Sequence, residues 1–179
     1  MDLPSDWTLT NVKESERDLL EQLLQFYLYD FSEMDDEEVD ESGRFRYPVT
    51  GPYGREPGRH ALLLRVRGKP AGFVLVDERS PIPGSEDRRY VREFFVMRAY
   101  RRHGYGAAMA WAIFDRFPGR WQVEQIGPNV GAQAFWRRVI GAYTAGRFSE
   151  RTEEREGLTL VIQEFDTSAK AVTWTERDR

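Results

Sequence analysis

Six consecutive residues, Arg101-Arg102-His103-Gly104-Tyr105-Gly106, combine three cationic or ionisable side chains with two closely spaced glycines. That combination suits an anion. Upstream, Val91-Arg-Glu-Phe-Phe-Val-Met97 is rich in β-branched and aromatic residues and predicts a largely buried strand. Downstream, apolar residues at 105, 108, 109, 112, 113 and 117 repeat with helical spacing. A strand that feeds a glycine-bearing turn into a helix start leaves several backbone N–H groups without partners. The helix dipole and the arginines then favour a phosphate or pyrophosphate there. Ala107, Ala108 and Ala110 are small enough to let a ligand or a strand approach closely. The competing reading is a glycine-rich connection with merely solvated arginines; the strand before it and the helix after it weigh for the anion site. The dinucleotide fingerprint is excluded because Met109 stands where its third glycine belongs, and no Gly-Lys-Ser/Thr follows as in a phosphate loop.

Composition narrows the classes further. At 179 residues the chain reads as a single domain over 1–179, with a core of about 7–165 and a polar tail over 166–179. With no cysteine, disulfides, thiolate metal sites and cysteine nucleophiles are excluded. The two histidines, His60 and His103, lack metal-ligand spacing, so no metal is expected. No apolar run approaches a membrane span and no signal-peptide pattern is present, which points to a cytoplasmic protein without a membrane partner. A net charge of −4 argues against nucleic acid as a partner.

The elements that must position the turn follow from periodicity. Trp7–Thr10 reads as an opening strand, and Ser15-x-x-Asp18 as a capped start to a helix carrying Leu20, Leu23, Leu24, Tyr27, Leu28 and Phe31. Tyr27 and Phe31 read as core; Phe26 and Tyr29 fall on another face and are candidates to line a pocket. Seven of the nine residues from Glu33 to Glu41 are acidic, either a solvated surface or a negative lip for a cationic amine. Gly43 to Gly58 is irregular and aromatic, a partly ordered lid. His60–Arg67 and Ala71–Val76 form a hairpin around Gly68-Lys69. A second loop, Asp77 to Arg89, leads into the strand above. After the central helix come a strand at Trp121–Ile126 and a helix capped by Asn129 and ended by Gly141. Strands at Tyr143–Arg151 and Leu158–Phe165 close the chain. The fold class is therefore α/β (α+β): a mixed, mainly antiparallel central sheet flanked by helices, with one parallel pair across the central helix.

Arg101-x-x-Gly104-x-Gly106 after Glu93–Met97 resembles motif A of the GNAT N-acyltransferases, Gln/Arg-x-x-Gly-x-Gly/Ala. Asn129-x-x-Ala132-x-x-Phe135-Trp136 resembles the same family's Asn-x-x-Ala-x-x-Phe-Tyr segment. The resemblance covers nearly the whole chain. It implies a GNAT fold and an acyl-coenzyme A-dependent N-acyltransferase, using acetyl-CoA and a small amine acceptor in a direct transfer. It further implies that the turn (Arg98, Arg101, Arg102, His103, Gly104, Tyr105, Gly106 and Ala107), with Asn129 and Phe135, binds the cofactor. Val96 or Met97 then supplies the backbone N–H for the oxyanion.

For such chemistry Glu93, mid-strand among apolar residues, is the candidate base, since desolvation raises a carboxylate toward the working range; Glu124 is the alternative. The family's proton donor is the Tyr after Phe, but Trp136 stands there, and indole is no acid at neutral pH. Tyr143 is the candidate phenol in its place, with protonation by water as the alternative. Two other readings stay open: a non-catalytic acyl-CoA-binding module, and an acyltransferase acting on a protein or aminoacyl-tRNA. A homodimer through an aromatic edge of Phe26, Tyr29, Trp111 and Phe114 is a further expectation.

Overall fold

The computed structural model describes residues 3–35, 38–47 and 49–168. Most of the polar tail, and positions 36, 37 and 48 of the acidic and lid segments, lie outside the described residues. Seven strands run β1 (Trp7–Asn11), β2 (Arg59–Val66), β3 (Lys69–Asp77), β4 (Arg89–Val96), β5 (Arg120–Ile126), β6 (Phe148–Arg155) and β7 (Leu158–Asp166). Three helices are α1 (Arg17–Phe31), α2 (Tyr105–Arg116) and α3 (Val130–Thr144). The sheet order is β1-β2-β3-β4-β5-β7-β6. β1–β2, β5–β7 and β6–β7 pair antiparallel, whereas β4–β5 is parallel, as a crossover through α2 requires. The expected mixed, mainly antiparallel sheet with flanking helices is thus the observed fold.

The chain divides into two compact units. One comprises Pro4–Val76 with Glu93–Gly106. Its core gathers Leu20, Leu23, Leu24 and Leu28 of α1 against Leu63, Phe73, Leu75 and Phe95. The 4-residue recurrence of the leucines gives α1 one apolar stripe. The neighbouring stripe does different work. Arg17, Glu21 and Gln25, each one turn apart, grip Phe45 and Thr50. Arg17 Nη1 donates to Thr50 O (3.2 Å), Thr50 Oγ1 donates to Glu21, and Gln25 exchanges two bonds with the Phe45 backbone (2.9 and 3.2 Å). Phe45, Tyr47 and Val49 pack on the core beneath. The lid read from composition is, over these residues, a strap fastened along α1.

Also in this unit, β3 and β4 approach closely at Gly72. A Cβ there would fall on the Phe95 carbonyl oxygen, with Val96 Cα only 3.1 Å away. Since the obstacle is backbone, Gly72→Ala is expected to cost about 2 kcal/mol through overpacking; a lowered urea midpoint at unchanged slope checks this.

The other unit holds Asp77–Arg92 and residues 107–168. Phe114 of α2 is its hub, edge-on to Trp121 (5.2 Å), Phe165 (4.9 Å) and Tyr143 (5.2 Å). Phe114 is fully buried and so belongs to no exposed aromatic edge; Trp111 is half-buried and donates to Val139 O (3.1 Å), and Phe26 and Tyr29 are exposed.

Two expected helix limits shift. α1 opens on a 3-10 turn at Glu14–Glu16, where Lys13 N–H donates to the Glu16 carboxylate (3.0 Å), so Ser15 caps nothing. α3 runs through Gly141 to Thr144 and ends with Ala145 in the left-handed region, its N–H on Gly141 O. Burial of Tyr143 and Thr144 outweighs the ~1 kcal/mol that a mid-helix glycine costs. Tyr143 is therefore helical, and β6 begins only at Phe148. Among the described residues no helix is long and apolar enough to cross a membrane, and no three His, Cys, Asp or Glu side chains gather as metal ligands would.

Candidate active site

β4 ends at Val96, and a single 3-10 turn over Arg98–Tyr100 carries the chain to an extended Arg101. Arg102 (φ 66°) and Gly104 (φ 85°) are both left-handed, and α2 starts at the next residue, Tyr105. Two left-handed residues on either side of His103 reverse the backbone directly ahead of the helix, and the first N–H groups of α2 have no acceptor within the helix. Arg102 and His103 are exposed at the turn, Gly104 and Gly106 are half-buried, and Ala107 is buried. Tyr105 is anchored instead of exposed: its hydroxyl donates to Asp6 Oδ1 (2.8 Å), a bond that, with burial, holds the phenol above its ordinary pKa.

Arg98 and Arg101 point elsewhere. Both reach Asp30 of α1, Arg98 at 2.7 Å and Arg101 through Nη2. Arg101 Nε also donates to Val96 O (2.7 Å), with its guanidinium 5.6 Å from the Phe95 ring centre. Of the four expected basic cofactor ligands, Arg98 and Arg101 are tied to the scaffold, while Arg102 and His103 are exposed.

The strand end sorts the two oxyanion candidates. Met97 N–H donates to Ala71 O (2.8 Å) and is occupied. Adjacent residues of a strand present their N–H groups to opposite edges, so Val96 N–H faces the other edge. On that edge β4 pairs with β5 only through Arg89↔Trp121 and Tyr90↔Gln122. Geometry favours Val96.

Three residues upstream, Glu93 is 6% exposed, and Tyr47 Oη donates to its Oε1 at 2.7 Å. The phenol hangs from the strap over 45–50, so a loop side chain reaches a strand carboxylate in the same unit. A hydrogen bond to the ionised form stabilises it, which offsets part of the desolvation expected from sequence.

In the other unit, Asn129 caps α3 as expected, its Oδ1 accepting from Ala132 N–H at 3.0 Å. Phe135 is half-buried and edge-on to Trp136 (5.1 Å), and Trp136 is core, beside Phe114. Tyr143 is buried and donates to Asp115 Oδ1 (2.6 Å). Burial first, then Asp115, pushes its pKa well above the ordinary phenol value. Glu124 is engaged on both oxygens by Arg155 (3.1 and 3.3 Å) and receives Tyr90 (3.3 Å) and Gln122 (2.6 Å).

Against known proteins, a family model described as the acetyltransferase (GNAT) family matches residues 18–142. The chain belongs to the GNAT acetyltransferase family. No curated protein matches it in sequence. Solved GNAT structures share its fold at low identity. A chimera of the Vibrio cholerae spermidine N-acetyltransferase SpeG and hSSAT is 12% identical, with a TM-score of 0.65 over 94% of this chain and 99% of that one. The ribosomal L7/L12 α-N-protein acetyltransferase RimL in complex with coenzyme A is 13% identical, TM-score 0.63, covering 94% and 98%. Nourseothricin acetyltransferase is 16% identical, TM-score 0.57, covering 91% and 99%.

Within this GNAT chain the geometry does not favour Tyr143 as the thiolate's proton donor: a phenol committed to a carboxylate and raised in pKa gives up its proton less readily. Tyr143→Phe is expected to leave kcat within about twofold while lowering stability by about 1 kcal/mol, the net worth of one hydrogen bond; steady-state rates and a urea titration check both. Glu124 has both carboxylate oxygens engaged by protein donors, Arg155, Tyr90 and Gln122. Two residues were missed from sequence, Tyr47 and Asp30. Tyr47 sits in an irregular segment without periodicity. Asp30 carried a faint signal, an acid in the last turn of α1 where the helix dipole opposes it.

Proposed function

We propose that this GNAT protein transfers the acetyl group of acetyl-CoA directly to a primary amine of a small acceptor. The observation that carries the reading is the turn ahead of α2: left-handed Arg102 and Gly104 reverse the backbone directly before a helix N-terminus, with Arg102 and His103 exposed beside it, a backbone geometry and charge suited to a diphosphate. Asn129 and Phe135 belong to the same reading through their motif. The acceptor arrives mostly as ammonium. Glu93, dry and oriented by Tyr47, takes one ammonium proton, and the free amine attacks the thioester carbonyl carbon. The C=O electron pair moves to oxygen, where Val96 N–H stabilises it. Collapse re-forms C=O and breaks the C–S bond; water takes the second proton from the amide nitrogen and passes one to the departing thiolate.

The acidic segment supports a cationic acceptor, although Asp40 is spent locally: Ser42, the Arg44 amide and Arg46 hold its carboxyl far below the usual range. Trp136 in the core and Tyr143 on Asp115 favour a second reading, an acyl-CoA-binding module without turnover. Calorimetry with acetyl-CoA, followed by thiol release against a panel of mono-, di- and polyamines, tests both. Binding with amine-dependent thiol release supports transfer. Binding without release supports the module, and no binding removes both.

A further inference from the structure

We infer that Asp30 is a positioning residue for the transfer: it withdraws Arg101 from phosphate binding and makes it hold the Val96–Met97 peptide. The inference rests on the function proposed above and deepens it. Nothing local favours a carboxylate at Asp30. It lies in the last turn of α1, where the helix dipole repels negative charge, and that turn carries no basic residue. What compensates it comes from the cofactor turn. Oδ1 accepts from Arg98 Nε (2.9 Å) and Nη2 (2.7 Å), and Oδ2 accepts from Arg101 Nη2.

A guanidinium is a rigid planar fork, so anchoring one prong aims the next. With Nη2 on Asp30, Arg101 Nε meets Val96 O at 2.7 Å, and the Phe95 ring lies under the plane. The same peptide is held at its other end by Met97 N–H on Ala71 O (2.8 Å). Gly72 packs against the preceding peptide, at Phe95 O and Val96 Cα. The strand end beside the oxyanion donor is thus fixed on every side, and Arg101 is the only one of these contacts that depends on a side chain.

Asp30 therefore divides the basic residues of the turn into two sets. Arg98 and Arg101 serve the scaffold, and Arg102 and His103 are left exposed beside the turn. Exposed ion pairs contribute little stability, so the consequence is read in kinetics, where small misplacements of a reacting geometry are costly.

The test uses the full chain with Asp30→Asn and Arg101→Ala, assayed by calorimetry with coenzyme A and by thiol release with acetyl-CoA and the fastest amine of the panel. For Asp30→Asn, kcat is expected to fall about tenfold while the coenzyme A Kd stays equal or tightens, because two cations are released toward the phosphates. For Arg101→Ala, kcat falls similarly while Kd stays within about threefold. Unchanged kcat in Asp30→Asn, or a Kd that weakens tenfold in Arg101→Ala with kcat preserved, overturns the inference and returns Arg101 to the phosphates. Thermal melts of both variants show whether either has lost its fold, in which case the other decides. Should wild type neither bind coenzyme A nor release thiol, the proposed function itself falls, which is a separate outcome from active wild type with indifferent variants.

Discussion

Glu93→Gln is expected to lower kcat by about 10²-fold or more, with the acetyl-CoA KM nearly unchanged, which is the range for removing a positioned general base. The amide keeps the shape of the carboxyl and can still meet the Tyr47 hydroxyl, so the strand and strap should survive. What disappears is the proton acceptor. The pH–rate profile makes the assignment specific. In wild type the rate falls on the acid side as Glu93 becomes protonated, and in Glu93→Gln that limb should vanish. Tyr47→Phe supplies the complementary sign. It removes the 2.7 Å donor that favours the charged carboxylate, so the carboxyl protonates more easily and the acid limb moves to higher pH. At neutral pH the rate drops, and raising the pH restores most of it. A Tyr47→Phe profile superimposable on wild type would sink the base assignment, as would an intact acid limb in Glu93→Gln.

Gly104→Val is expected to raise the acetyl-CoA KM and the coenzyme A Kd by about 30-fold or more, leaving the rate at saturation much closer to wild type. Gly104 sits at φ 85°, a conformation that a β-branched residue enters at a cost of at least 1–2 kcal/mol. The turn would relax toward negative φ and displace the amides ahead of α2. About 2 kcal/mol of lost binding corresponds to a factor near 30. Calorimetry reads the effect without any acceptor. A Gly104→Val protein that binds coenzyme A as wild type does would exclude this turn as the diphosphate site.

Most of the scaffold was legible because it is periodic. The leucines of α1, the apolar positions after Tyr105 and the continuous apolar runs of β2 to β4 each answer to one repeat, and Gly68-Lys69 marks where β2 turns back into β3. The turn itself was readable for another reason: two glycines between a strand and a helix leave the backbone few alternatives. The end of α3 was not readable. Gly141 is a stop signal locally, and only tertiary burial of Ile140, Tyr143 and Thr144 carries the helix past it. Pairing across long sequence distances was invisible altogether. Tyr47 and Glu93 are 46 residues apart, and Asp30 and Arg101 are 71 apart; neither partner announces the other. The roles of Arg98 and Arg101 were blurred for that reason, since a cation beside a glycine turn looks the same whether it faces a ligand or a carboxylate behind it.

The fastening of residues 45–50 along α1 has a thermodynamic corollary. Because Tyr47 belongs to that strap, lifting it would remove the Tyr47 hydrogen bond from Glu93 in the same motion, so strap opening and proton uptake by Glu93 are linked equilibria. An acceptor that wedges the strap open would leave the carboxyl more basic, and one that presses it shut would leave it less so. Ligand size and proton affinity would then be read through one hinge of the chain.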